Sequence, residues 1–358
     1  MPGSQPGKIG RVFSLASLLM QHREVSSRAF ASLKKQGKPA LVLWHGVGPG
    51  DDLLCSAVMH ESAKRTGKKV WIFSRNPGLF EHNLDVGVVL PLEQQFMNQL
   101  GTRGMPPITH PIYGEYNAVE DRDYVADYHI IARMCEVAGL QGEISLRPYM
   151  TLTQEETRKG KLAEKQIVIQ SSGNLTPAKP DAFTSQRSAG SKFVMRTKQW
   201  YPERFQQVAD AVASGWHVIQ LGAAEEPLLS GVTDLRGKTS IRESAAIIAN
   251  SAAYVGQVGF LMHLARAVEC RSVIVYGGRE APHQSGYSSN VNVCGTQLCS
   301  PCWYWNKCTG VTDMACMQEI DADQVIAGLQ QVIELQGTPL AEDRITLPTT
   351  VATALSSS

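Results

Sequence analysis

The feature that most limits what this chain can fold into is a recurring pattern. A short, mostly apolar run is followed by a glycine-rich or polar turn and then by a stretch of helical periodicity. Residues 40–44 form the first such run, 69–73 and 86–90 repeat it, and helical spacing returns around 124–137. Strands of four or five residues without polar alternation suit a parallel sheet covered on both faces, and parallel neighbours need a helical crossover. A second series begins at 166–170. It continues through a helix over 202–214, a strand at 217–221, a helix at 241–250, short strands near 253–255 and 272–276, and a closing helix over 323–335. Two doubly wound α/β halves facing a central cleft follow from this. Ligands of such sheets bind beyond the carboxyl ends of the strands, so the turns mark where to look for a site.

The length of 358 residues exceeds what one core usually serves and favours two domains of about 150 residues each. The charged stretch 141–165, with Glu155, Glu156, Arg158, Lys159, Lys161 and Glu164, places their boundary. The expected layout is leading helices over 1–39, an N-terminal half over 40–160, a C-terminal half over 161–336 with a Cys-rich loop at 294–316, and a tail over 337–358. The tail is rich in Thr, Pro, Ala and Ser and is expected to be disordered. Phe13, Leu15, Leu18, Leu19, Val25, Phe30 and Leu33 give the leading segment a packing face. No apolar run approaches the ~18 residues that span a bilayer, and no small-residue cleavage site follows residues 12–20, so the sequence predicts a cytoplasmic protein. A net charge of +1 supplies no broad field to attract nucleic acid, which is excluded as a partner.

Three constellations can carry chemistry. The first, His45-Gly46-Val47-Gly48-Pro49-Gly50-Asp51-Asp52-Leu53-Leu54, sets carboxylates where a strand turns tightly into a helix. It lacks the Gly-Lys-Ser/Thr ending of a Walker loop, and its bland alternative is a plain helix start capped by Asp. In the second, Lys198 stands just ahead of a helix opened by Pro202, where an ammonium can compensate a diphosphate; the alternative is a solvated surface lysine. The third runs from Val255-Gly256-Gln257-Val258-Gly259 through His263 to Tyr276-Gly277-Gly278-Arg279-Glu280. A glycine between a short strand and a helix leaves amides for phosphate oxygens, although a histidine among apolar neighbours is also a common core residue.

Five of the eight cysteines crowd into 294–316 instead of spreading as a disulfide framework would. Cys299, Cys302, Cys308 and Cys316 are spaced C-x2-C-x5-C-x7-C, which could close a structural zinc or iron site. Reduced thiols or a disulfide are the alternatives, and Trp303, Tyr304 and Trp305 between them are read as packing.

Taken in order, these motifs resemble glycosyltransferase family 9, the ADP-heptose:lipopolysaccharide heptosyltransferases and their relatives, over roughly residues 40–335. The resemblance implies the GT-B fold and an inverting transfer that needs no metal cofactor for catalysis. Gly50-Asp51-Asp52-Leu53 is similar to the family's Gly-Asp-x-Leu, making Asp51 the base. Lys198-Gln199-Trp200-Tyr201-Pro202 resembles Lys-x-Trp-Pro with one residue inserted, and its Lys supports the donor phosphates. Glu226, with Glu225 as rival, matches the acid that holds the donor ribose, and Thr239 in Gly237-Lys238-Thr239-Ser240-Ile241 borders the nucleotide base. Gly259, His263 and Gly278 complete the implied donor site. The chain departs from the family at Val258, where an acid is usual, and at His45, where a longer basic residue is common. The implied partners are a nucleotide-sugar donor and a glycan, lipid-linked or protein acceptor, with no more than peripheral membrane contact. The competing readings are a catalytically silent nucleotide-sugar binding or assembly protein and a GT-B-type nucleotide-sugar epimerase.

Overall fold

The computed structural model of the protein describes residues 23–46, 48–101, 105–172 and 196–348. Val47, the leading segment before Arg23 and residues 349–358 of the expected tail lie outside the described residues. Two parallel sheets carry the architecture. The first contains β1 (Val42–Trp44), β2 (Val70–Phe73), β3 (Val86–Leu90) and β4 (Ile108–Thr109), in the order β3-β2-β1-β4. A hairpin of β5 (Gly114–Asn117) and β6 (Arg122–Val125) and the short strand β7 (Gly142–Ser145) follow. The second sheet contains β8 (Gln166–Ile169), β9 (His217–Gln220), β10 (Thr233–Asp234), β11 (Tyr254–Gln257), β12 (Ser272–Tyr276) and β13 (Val291–Cys294). Its order, β10-β9-β8-β11-β12-β13, is the 3-2-1-4-5-6 winding of dinucleotide-binding sheets. The order reverses at β1/β4 in one sheet and at β8/β11 in the other, which is where such sheets open a crevice.

Wholly buried strands explain the apolar runs, since β2, β8 and β12 are covered at every residue. On the outer face of the first sheet, Trp71, Phe73 and Leu90 pack with Val25, Ala29 and Leu33 of the Arg23–Gln36 helix. On the outer face of the second, Ile167, Val273 and Val275 pack with Phe205 of the Pro202–Val212 helix and Leu329 of the Ala322–Glu334 helix. A third cluster is shared by both halves, joining Leu43, Leu53 and Met59 to Ile219, Leu261 and Met262. The Pro49–Thr66 helix at its centre is buried on most sides, as its weak amphipathicity requires. Arg242 ties the halves further, donating to the carbonyls of Gly78 and Thr151 and to Glu156. Gly160 lies so close to the Ile241–Ala249 helix that a Cβ there would stand 2.1 Å from the Ala246 carbonyl oxygen.

Two expectations are corrected. Helical structure does not begin near Tyr124, because residues 122–125 pair as β6 with β5, and the helix covers only Ile130–Val137 behind a His129 cap. Nor is the segment after 337 a disordered tail throughout. Arg344–Leu347 forms β14, antiparallel to β7, with Leu347 opposite Gly142. The average composition of the tail conceals this Arg-Ile-Thr-Leu stretch, in which Ile345 and Leu347 alternate onto the shared core. Leu347 is 3% exposed. Leu347→Ala is therefore expected to cost about 2–4 kcal/mol, read as a lower urea midpoint with an unchanged slope.

Candidate active site

The carboxyl ends of both sheets open onto one cleft of about 1410 Å³. Asp51, Lys198, Glu226, Thr239, Gly259 and His263 all line it. Gly278 does not. It is buried beneath the Cys-rich loop, where its carbonyl accepts from the Cys302 amide at 2.6 Å, and a Cβ would meet Ser300 Oγ at 2.8 Å and Cys316 Sγ at 2.9 Å. The glycine there serves close packing, and its assignment to donor binding is corrected.

Asp51 sits in the first turn of the Pro49–Thr66 helix, whose start has no side-chain cap. Its Oδ1 accepts from the Tyr113 hydroxyl at 3.0 Å, and its Oδ2 lies 3.8 Å from His45 Nδ1. The neighbouring acid has a different role. Asp52 is fully buried, accepts from Ser74 and from Asn76 Nδ2, and is pushed up to about 6 mainly by burial. Of the two, only Asp51 lines the cleft.

Facing Asp51 is the start of the Phe260–Ala267 helix, capped by Gly259 without a side-chain bond, so its first amides are left for a ligand. A Cβ on Gly50 would lie 3.7 Å from Phe260 Cα, so the two helix starts are in van der Waals contact. His263, one turn on, is 6% exposed and bonds the Tyr287 hydroxyl through Nδ1 at 2.7 Å. Burial pushes its imidazole down to about 4, so it is neutral near pH 7 and offers hydrogen bonds rather than charge.

Glu226 and Glu225 separate cleanly: Glu225 is exposed, whereas Glu226 is 3% exposed. Glu226 Oε1 accepts from Gln170 Nε2 at 2.8 Å and the Ala223 amide at 3.0 Å, while the buried Oε2 has no partner. Burial outweighs these bonds and raises the carboxyl to about 7. Thr239 bonds Ser244 through its hydroxyl at 2.8 Å, next to the Ser240 cap of the Ile241–Ala249 helix.

Lys198 ends a short 3-10 turn, Arg196–Lys198, and pairs with Glu280. Burial would raise Glu280, but Lys198 and Arg279 outweigh it and hold the carboxyl below its usual range. Arg279, 3% exposed, lies between Trp303 and Trp305, with its guanidinium 5.2 and 5.0 Å from their rings. It donates to the Trp303 and Tyr304 carbonyls and pairs with Asp123 of β6, which also accepts from Trp305 Nε1 at 2.9 Å. Sequence reasoning assigned no role to Glu280, Asp123 or Tyr113. Glu280 was within reach of the strand-end rule, as it follows β12, whereas Tyr113 and Asp123 sit in aperiodic segments with no signal of their own.

The four cysteines share one loop. Cys302 and Cys316 both feel Cys299 and Cys308 electrostatically, and their thiols are raised, chiefly by burial. All eight cysteines are unpaired. Among the described residues no three His, Cys, Asp or Glu side chains are set as ligands of one ion. No helix among the described residues is long and apolar enough to cross a membrane.

Solved structures of the same fold confirm the GT-B architecture. E. coli ADP-heptose lipopolysaccharide heptosyltransferase II is 14% identical, covering 82% of this chain and 98% of its own, with a TM-score of 0.58. A family 9 glycosyltransferase from Veillonella parvula DSM 2008 is 12% identical over 83% and 98%, with a TM-score of 0.57. The iron-containing dodecameric glycosyltransferase TibC from enterotoxigenic E. coli H10407 is 14% identical over 83% and 77%, with a TM-score of 0.58. No curated protein is significantly similar in sequence. The family model for glycosyltransferase family 9 (heptosyltransferase) matches residues 122–309, more than half of the chain, and takes in Lys198, Glu226, Gly259 and His263. With that match, the winding of its sheets and the cleft between them, the chain belongs to glycosyltransferase family 9.

Proposed function

We propose that the protein is an inverting glycosyltransferase of the cytoplasm, moving a heptose-like sugar from a nucleoside diphosphate to a bacterial glycan, lipopolysaccharide or protein acceptor. One observation carries this reading: the Asp51 carboxylate of the N-terminal half and the uncapped helix start at Gly259 in the C-terminal half line the same cleft, with their helices in contact. A neighbour of the same fold, TibC, has been solved in complex with ADP-D-beta-D-heptose (TM-score 0.57), which supports a donor of that class. The eight unpaired thiols suit a reducing compartment.

In this reading Asp51 takes the acceptor hydroxyl's proton as that oxygen attacks the anomeric carbon. The bond to the diphosphate breaks on the opposite face, so the configuration inverts. Negative charge then grows on the leaving phosphate, where the amides following Gly259 and the Lys198 ammonium stabilise it. An ammonium has three donors, so Lys198 can keep Glu280 and still bond a phosphate oxygen. The unpartnered Oε2 of Glu226 suits the ribose hydroxyls, and Thr239 borders the base. Val258 favours the silent-binder reading, since it lines the cleft where the resemblance leads one to expect an acid. Glu280, reaching Lys198 from the loop after β12, supplies a buried carboxylate there instead.

Asp51→Asn is expected to lower sugar transfer from ADP-heptose about a thousandfold while leaving ADP binding within about twofold. Turnover that survives this change sinks the enzymatic reading. Tyr113→Phe, which releases Asp51 Oδ1, is expected to lower kcat about tenfold with little change in KM, and steady-state kinetics read both. Hydroxyl donors favour the ionised form of Glu226, so ADP affinity should rise with pH through about 7. Calorimetric titration is expected to give binding about tenfold tighter at pH 8 than at pH 6, with the dependence reduced in Glu226→Gln to the part that the nucleotide's own phosphate ionisation contributes.

A further inference from the structure

The N-terminal wall of the cleft holds a strip of rings to which the transfer step assigns only one role, that of Tyr113. Trp44, at the end of β1, stacks on His110 with ring centroids 4.0 Å apart and planes 21° from parallel. His45 lies edge-on to His110 at 5.2 Å and near-parallel to Tyr113 at 5.8 Å, and Tyr113 donates to Asp51. All four rings are half-buried and line the cleft, so the strip leads along the wall directly to the base.

Among the described residues of this wall, the carboxylates and no lysine or arginine line the cleft. Asp51 stands at one end, exposed Glu115 lies on β5 beyond the strip, and Asp123 lies on β6. The cations lining the cleft among the described residues, Lys198 and Arg279, both belong to the C-terminal half and are paired with Glu280 and Asp123.

We infer that this strip is the acceptor subsite and that it takes a neutral, hydroxyl-rich ring, a sugar bearing neither carboxylate nor phosphate. The inference rests on the glycosyl-transfer reading of the cleft and deepens it. The C–H face of a sugar ring packs on aromatic faces, and its hydroxyls find donors and acceptors in two imidazoles and a phenol. An anionic acceptor would instead bring its charge beside Asp51 and Glu115 while the donor diphosphate already engages Lys198 and the helix start, and like charges a few ångströms apart repel in a half-buried site.

The test measures binding of three probes to the full chain saturated with ADP, by ligand-observed NMR titration: methyl β-D-glucopyranoside, methyl β-D-glucuronide and glucose 6-phosphate. The neutral glucoside is expected to bind about fivefold more tightly than either anion at low salt, with the gap narrowing at high salt. Glu115→Lys, at an exposed position, is expected to close most of that gap, and His110→Ala to weaken the neutral probe. Equal or tighter binding of an anion by the unaltered chain overturns the inference, as does failure of the glucoside to bind or its indifference to His110→Ala. Loss of ADP binding itself would sink the transfer reading instead, so the two failures are distinguishable.

Discussion

The contact between two helix starts organises this molecule. The Pro49–Thr66 helix leaves β1 and the Phe260–Ala267 helix leaves β11, each from a strand beside the switch point of its sheet, and their first turns meet where Gly50 approaches Phe260. Leu53, Met59, Leu261 and Met262 continue the contact into a core common to both halves. Asp51 at the head of one helix and the residues at the head of the other therefore line one cleft. The cleft is a consequence of how the two sheets share a core.

Charge in that cleft is arranged in pairs that reach across the chain. Lys198 is held by Glu280, and Arg279 by Asp123 of the hairpin in the N-terminal half. Arg279 is also enclosed by Trp303 and Trp305, so the Cys-rich loop acts as packing around a buried cation. That loop approaches β12 closely because Gly278 has no side chain to keep it away. Breaking such a pair leaves an uncompensated buried charge, which costs far more than the pair contributes.

The strands most legible in sequence were those buried on both faces, because apolar runs as short and continuous as 70–73 and 272–276 suit a covered strand better than a helix with one wet face. Asp51, Lys198 and His263, which all line the cleft, could be singled out because each lies within four residues of a glycine or proline that opens a helix. The hairpin carrying Asp123 was hidden. Its two four-residue strands hold Glu, Asn, Arg and Asp, which carry no apolar period to set Tyr124 apart from the helix that follows. β14 was hidden for another reason, since its two alternating apolar residues are diluted by the polar composition of the tail around them. Tyr113 and Glu280 matter through contacts with residues 62 and 82 positions away, and no local pattern encodes such a meeting. Glu226 was preferred to Glu225 on the resemblance alone, and burial separates the two.

A crystallographic map of the full chain with ADP bound tests the central claim most directly. The account predicts the diphosphate on the amides after Gly259 and beside Lys198, the ribose on Glu226, and the Asp51 carboxylate facing the terminal phosphate across the cleft. Nucleotide density elsewhere on the protein, or a phosphate turned away from Asp51 with the helix start at Gly259 left bare, would contradict it.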